Sequence, residues 1–248
     1  MDRRFPDHFS AVAQDYAAHR PGYPAGLFAW LAELAPERRH VWDCGTGNGQ
    51  AAMSLAQHFE QVTASDASAE QIAAASPHPR IEYQVAPAEA SGLADATVDL
   101  VTVAQALHWF DLEAFYAEVR RVLVPRGVLA VWTYTRIETA DPELQELIHH
   151  FYRDTIGRYW PPQRRHVEFG YRDLAFPFEP IDAPSLSIEL DWPLDHFLGY
   201  LRSWSATRRF VAERGFDPVD AMGCELARRW GDVQRLRWPL ILRAGRVG

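Results

Sequence analysis

Between residues 40 and 134, short apolar runs rich in β-branched residues alternate with amphipathic stretches, and no other feature of the chain restricts its fold as much. Successive strand-helix-strand units place their strands in parallel, because each helical crossover returns the chain to the same end of the sheet. The spacing predicts strands at His40 to Cys44, Val62 to Asp66, Ile81 to Val85, Val98 to Ala104 and Val128 to Tyr134. Helices are expected over Gln50 to Phe59, over Ala69 to Ala75 (closed by Pro77 and Pro79), and on the stripe Phe115, Val119, Val122 and Leu123 before Pro125 and Gly127. The fold class is α/β, a doubly wound and mostly parallel sheet.

Upstream, Phe9, Val12 and Tyr16 share a helical face, Arg20-Pro21-Gly22-Tyr23-Pro24 breaks that helix, and Leu27, Trp30, Leu31 and Leu34 stripe a second one. Downstream the pattern loosens. A helix from Asp141 ends near Trp160-Pro161-Pro162, Leu186 to Trp192 alternates like a strand, helices are expected over about His196 to Glu213 and Pro218 to Trp230, and a last strand near Arg237 to Arg243. With 248 residues, 48% of them hydrophobic, and no repeat or linker, one domain is expected.

A net charge of -8 disfavours a nucleic-acid partner and favours small molecules. All 25 basic residues are arginine, so no lysine amine exists for Schiff-base or general-base chemistry. Two cysteines, Cys44 and Cys224, supply neither a disulfide framework nor a Cys-rich zinc site, and no metal is expected; Cys44 reads as a small buried hydrophobe. No apolar stretch approaches the roughly 20 residues that span a bilayer, so a cytoplasmic protein without membrane partners is expected.

The first strand runs into Asp43-Cys44-Gly45-Thr46-Gly47-Asn48-Gly49, a turn whose glycines permit tight geometry and close approach of a ligand. A dinucleotide site spaces its glycines G-x-G-x-x-G to seat a pyrophosphate on the helix N-terminus, but position 50 is Gln. The observed spacing suits a ligand without phosphates, with Asp43 placed to hold an amino group directly or through water. Asp66 ends the second strand, where a carboxylate can accept from both hydroxyls of a ribose; it also suits an N-cap for the helix that follows.

These residues resemble the class I S-adenosylmethionine-dependent methyltransferases, in the type 11 and trans-aconitate methyltransferase-like branch. The resemblance is carried by Phe9-x6-Tyr16-x3-Arg20-Pro21-x-Tyr23-Pro24, the Asp43 loop, Asp66, Ala86-Pro87-Ala88-Glu89, Gln105-Ala106-Leu107-His108-Trp109-Phe110 and Arg121-Val122-Leu123-x-Pro125-x-Gly127. It implies a Rossmann-like, seven-stranded sheet with an antiparallel C-terminal strand. It also implies an N-terminal cofactor lid over about residues 1 to 24, a cofactor core to about 136, and an acceptor-pocket insertion with the last strands over 137 to 248. By the same resemblance, S-adenosylmethionine is held by Tyr16, Arg20, Asp43, Gly45, Thr46, Gly47, Gly49, Asp66, Ala67, Ala88, Glu89, Ala104 and Gln105. Arg20 is suited to the methionine carboxylate, and Glu89 is either an adenine contact or a surface charge. Tyr16 is either a ligand contact or a stripe residue.

Methyl transfer from a sulfonium needs alignment, desolvation and, for a weakly acidic nucleophile, a base. An oxygen of a carboxylate or hydroxyl is the expected acceptor. A carboxylate is already ionised and would need arginines, of which Arg136, Arg153, Arg158, Arg164, Arg165 and Arg202 lie in the variable half. His108 is the candidate base for a hydroxyl, and a hydrogen-bonded structural histidine is the alternative. An NAD-dependent oxidoreductase would share the sheet but conflicts with Gln50, and a non-catalytic binding protein could keep the same loop.

Overall fold

The computed structural model describes residues 20–247. The expected helix carrying Phe9, Val12 and Tyr16 lies outside them, as does Tyr16 as a cofactor contact. The first half runs α1 (Ala25–Leu34), β1 (His40–Cys44), α2 (Gln50–Leu55), β2 (Gln61–Asp66), α3 (Ala69–Ala73), β3 (Ile81–Val85), β4 (Val98–Ala104), α4 (Leu112–Val122) and β5 (Leu123–Tyr134). The second runs α5 (Pro142–His150), α6 (Arg164–Glu168), β6 (Glu179–Ile181), β7 (Ser187–Trp192), α7 (Leu194–Arg202), α8 (Ser205–Arg214), α9 (Pro218–Leu226) and β8 (Gln234–Arg246).

The strands form one sheet in the order β3-β2-β1-β4-β5-β8-β6, with β7 pairing a further stretch of β8. Strands β1 to β5 are parallel, and β8 runs antiparallel to β5, β6 and β7. β1 lies between β2 and β4, so the connections leave it in opposite directions and open a crevice at the C-terminal ends of β1 and β4.

Alternation along β5 sorts the core onto two faces. Val128, Ala130, Trp132 and Tyr134 face a layer with Leu27, Phe28 and Leu31 of α1, Leu55 of α2, and the C-terminal helices. Leu129 and Val131 face Phe115, Val119 and Val122 of α4 together with Tyr171. The same period on β1 sends Trp42 and Cys44 to the α4 side. Cys44 is a free, buried thiol there, as expected, and Cys224 is exposed.

Several elements differ from expectation: the helix from Asp141 is α-helical only to His150, and that from Pro218 stops at Leu226. α2 stops at Leu55 and a turn carries Phe59 into the core, so the apolar pattern outlives the helix. The expected helix from His196 is two helices, because Trp204 is extended (ψ 136°) and the Ser203 hydroxyl donates to the Tyr200 carbonyl at 2.6 Å. β5 begins at Leu123, directly from α4, with Arg126 at φ 65°. The short β6 gave no sequence signal: it contains Pro180, which a sheet edge tolerates and a central strand does not.

The segment between β3 and β4 is anchored by Glu118 of α4. Its Oε1 accepts from the Ser91 hydroxyl (2.5 Å) and N–H (2.8 Å), and Arg121 donates to both carboxylate oxygens. The Arg121 guanidinium, helped by Ser91, lowers the Glu118 pKa to about 2 against the effect of burial. A depressed carboxylate pKa contributes stability that is present above the unfolded value and is lost as pH falls through the folded one. Glu118→Gln is therefore expected to cost about 1–3 kcal/mol at pH 7. In urea titrations its deficit relative to the parent should shrink as pH falls from the ordinary glutamate range toward about 2; a deficit constant with pH would contradict the assignment.

Candidate functional site

The loop after β1 takes its shape from one buried carboxylate. Asp43 is 0% exposed; Thr46 Oγ1 donates to its Oδ2 at 2.6 Å and Thr102 Oγ1 of β4 to its Oδ1 at 2.7 Å. Burial raises its pKa to about 6, against the pull of these two hydroxyls. The residue expected to hold a ligand's amino group thus lies beneath the loop and ties it to β4. It is absent from the cavity wall.

Gly45, Gly47 and Gly49 all have positive φ, at 68°, 57° and 86°. At Gly45 an added Cβ would lie 2.6 Å from the Ala106 Cβ and 3.1 Å from the Phe110 ring, so the turn after β4 closes directly onto the loop. Asp66 braces the other side: its Oδ2 accepts from Gly47 N–H and its Oδ1 from Ser68 N–H, both at 2.9 Å. Ser68 is the N-cap of α3, which removes that role from Asp66. Burial raises the Asp66 pKa, opposed by the Ser68 and Gly47 N–H groups.

These elements enclose a cavity of about 990 Å³ at the crevice, at the upper end of the range for small-molecule sites. The expected residues Gly45, Thr46, Gly47 and Gly49 line one side, and Asp66, Ala67, Ala88 and Glu89 another. Ala104 and Gln105 close the β4 end, and Arg20 stands over it with Nη1 3.5 Å from the Tyr134 hydroxyl. Glu89 is more than a surface charge, since its Oε1 accepts from Asp111 N–H at 2.8 Å and joins the β3 and β4 turns.

The wall also includes Tyr23, Met53, Gln71, Phe110 and Asp111, none of them expected as a cofactor contact, although Tyr23 and Phe110 belong to the motifs of the resemblance. Tyr23 had a local signal in the Arg-Pro-Gly-Tyr-Pro break, and its ring meets Trp132 edge-on at 5.5 Å. Gln71 had none, because its place on the wall depends on how α3 docks beside β2.

His108 lies off the cavity wall, on a short 3₁₀ turn between the wall residues Gln105 and Trp109. Its ring lies 4.7 Å from that of Trp109, and its Nδ1 is 3.1 Å from the Tyr171 hydroxyl. Burial, then the charges of Arg164 and His166, lower its pKa to about 3. None of the six arginines considered for an acceptor carboxylate lines the cavity. Arg202 is paired with Asp217 and Asp220, Arg153 with Asp154 and Arg158 with Glu213, while Arg136 and Arg165 are exposed. Arg164 donates to the Tyr152 hydroxyl and stacks 4.7 Å from the Trp160 ring.

A switch-point cavity with a glycine loop not spaced for pyrophosphate and an acid on the next strand is the arrangement expected from the resemblance to class I methyltransferases. Comparison with known proteins agrees. Residues 42–131 match the family described as a methyltransferase domain. A methyltransferase candidate of Dictyostelium discoideum is 34% identical over 212 residues, covering 84% of this chain and 80% of that protein. The solved structure of a type II methyltransferase candidate from Anaeromyxobacter dehalogenans is 48% identical, with a TM-score of 0.86, covering 92% of this chain and 97% of that one. In fold alone, the chain is similar to Haemonchus contortus phosphoethanolamine N-methyltransferase 2, solved with S-adenosylhomocysteine (16% identity, TM-score 0.50, 98% of this chain and 60% of that one). The chain belongs to the methyltransferase-domain family, whose members are S-adenosylmethionine-dependent enzymes.

If the loop geometry forms the site, Gly45→Ala should forfeit about 1–3 kcal/mol of stability through its left-handed backbone alone. It should also weaken S-adenosylhomocysteine binding by calorimetry at least about tenfold, about 1.4 kcal/mol. Unchanged affinity in a folded variant would show that the ligand does not approach this loop.

Proposed function

We propose that this chain binds S-adenosylmethionine in the glycine-loop cavity and directs its methyl group to an oxygen of a small molecule, a carboxylate or a hydroxyl. The observation that carries the reading is Asp66, placed at the β2 edge on the same cavity wall as Gly45, Gly47 and Gly49. Each Asp66 oxygen accepts one backbone N–H, and a carboxylate oxygen has a further lone pair to offer a ribose hydroxyl. Gly45, free of a Cβ, leaves the loop in contact with Ala106 and Phe110, so the backbone itself forms the floor.

When bound, the cofactor supplies a methyl group already activated by the sulfonium charge. The chain's own residues then have three tasks. Asp66 and the loop fix the nucleoside end, and Ala88 and Glu89 border the adenine position beyond β3. Arg20, between Tyr134 and the ring of Tyr200, offers a guanidinium to the cofactor's carboxylate. Gln105, held at φ 60° on the cavity wall, marks the methyl-donor end.

Among the described residues no helix is long and apolar enough to cross a membrane, and no cluster of His, Cys, Asp and Glu is arranged for a metal. The absence from the wall of the six arginines of the variable half favours a hydroxyl over a carboxylate acceptor.

Calorimetry with S-adenosylhomocysteine and with NAD tests the cofactor, and a panel of phenols, carboxylic acids and amines tests the acceptor atom. S-adenosylhomocysteine should bind and NAD should not. Asp66→Ala should cost about 1–3 kcal/mol of affinity, the range for hydrogen bonds to a charged group. Affinity unchanged in that variant would remove Asp66 from the ribose, and tight NAD binding without S-adenosylhomocysteine binding would overturn the reading.

A further inference from the structure

The left-handed backbone at Gln105 is held by three consecutive residues of β5. The Gln105 N–H donates to the Trp132 carbonyl at 3.0 Å, which carries the pairing of β4 with β5 one residue past the end of β4. Its side-chain Nε2 donates to the Tyr134 carbonyl at 3.3 Å. A carbonyl only accepts, so the amide orientation is set, and the Thr133 hydroxyl donates to the remaining Oε1 at 2.6 Å. Trp132, Thr133 and Tyr134 thus grip one residue of the cavity wall.

A φ of 60° is a conformation that glycine adopts freely and other residues disfavour, so what glutamine adds at this position is the grip of its side chain. With its N–H and both amide groups engaged by β5, Gln105 has one polar group left without a partner among the described residues, its backbone carbonyl. A carbonyl accepts, and so suits an ammonium. Arg20, whose guanidinium suits the carboxylate of the same amino-acid moiety, has Nη1 3.5 Å from the Tyr134 hydroxyl. The end of β5 therefore braces the groups that face the methionine part of the cofactor, as Asp66 at the end of β2 braces the nucleoside part.

We propose that Thr133 is a positioning residue for the methyl donor. From behind the wall it locks Gln105 left-handed, and so sets where the amino-acid end of S-adenosylmethionine, and with it the sulfonium methyl, comes to rest. The proposal rests on the reading of the cavity as the cofactor site and adds to it a residue that does not line it.

The hydroxyl carries this role, and the bulk of the side chain does not. Thr133 is 0% exposed on a strand flanked by β4 and β8, where valine has the same shape and an equal preference for the strand. Thr133→Val therefore removes one donor and little else. Gln105 Oε1 is then left without its donor, and the half-buried amide can turn toward the cavity and water, releasing the backbone that it held. Thr133→Ser keeps the donor.

The test is calorimetry of the full-length protein with two ligands, S-adenosylhomocysteine and 5′-methylthioadenosine, which has the same adenosine and sulfur but lacks the amino-acid chain. Thr133→Val should bind S-adenosylhomocysteine at least about tenfold more weakly, the scale of one hydrogen bond to a charged group, and 5′-methylthioadenosine within about twofold of the parent. Thr133→Ser should restore the affinity for S-adenosylhomocysteine. A crystal structure of Thr133→Val should show the Gln105 amide turned off β5 and its φ moved away from 60°. Equal losses for the two ligands, which a purely structural role would give, overturn the proposal, as do an unchanged affinity for S-adenosylhomocysteine or an unmoved Gln105. A parent protein that binds neither ligand would instead remove the cofactor reading, while the crystal structure of the variant judges the lock in either case.

Discussion

The site depends on a buried carboxylate. Asp43 sits at the end of β1 with 0% exposure, held by Thr46 of the glycine loop on one oxygen and Thr102 of β4 on the other. A buried charge of this kind is tolerated only where hydroxyls or N–H groups replace its lost water, and here those groups belong to the two sides of the crevice. The switch point of the sheet is thereby fastened shut below the cavity and left open above it. Asp66 repeats the device one strand over, joining the loop to α3 through Gly47 and Ser68.

From that clamp the rest of the architecture follows in sequence. With the loop fixed, Gly45 can lie against Ala106 and Phe110. The turn after β4 then carries Gln105 to the wall and His108 behind it. Gln105 in turn donates to the Tyr134 carbonyl and accepts from the Thr133 hydroxyl, and the His108 ring meets the Tyr171 hydroxyl of the segment between α6 and β6.

The parallel half of the sheet was legible because its residues report their own surroundings. Val98 to Ala104 is mostly apolar, with β-branched residues, and almost wholly buried. The glycine loop and Asp66 were legible for a related reason, since unusual backbone and a carboxylate at a strand end leave marks in the sequence. The surroundings of Asp43 were not, because an acid two residues before a glycine gives no sign of the two threonines it accepts from, one of them 59 residues away. The acceptor side was hidden for the same reason. Arg202 and Arg164 look alike in sequence, yet one is neutralised by Asp217 and Asp220 and the other rests on Tyr152 and Trp160. Tertiary pairing decides such roles, and spacing carries no record of it.

A crystal structure of the protein with S-adenosylhomocysteine tests the account most directly. The ribose hydroxyls should lie within hydrogen-bond distance of Asp66, the adenine beside Ala88 and Glu89, and the sulfur at the Gln105 end of the cavity, with Asp43 still bonded to Thr46 and Thr102. A ligand whose ribose lies away from Asp66, or whose amino group has drawn Asp43 out from beneath the loop, would contradict it.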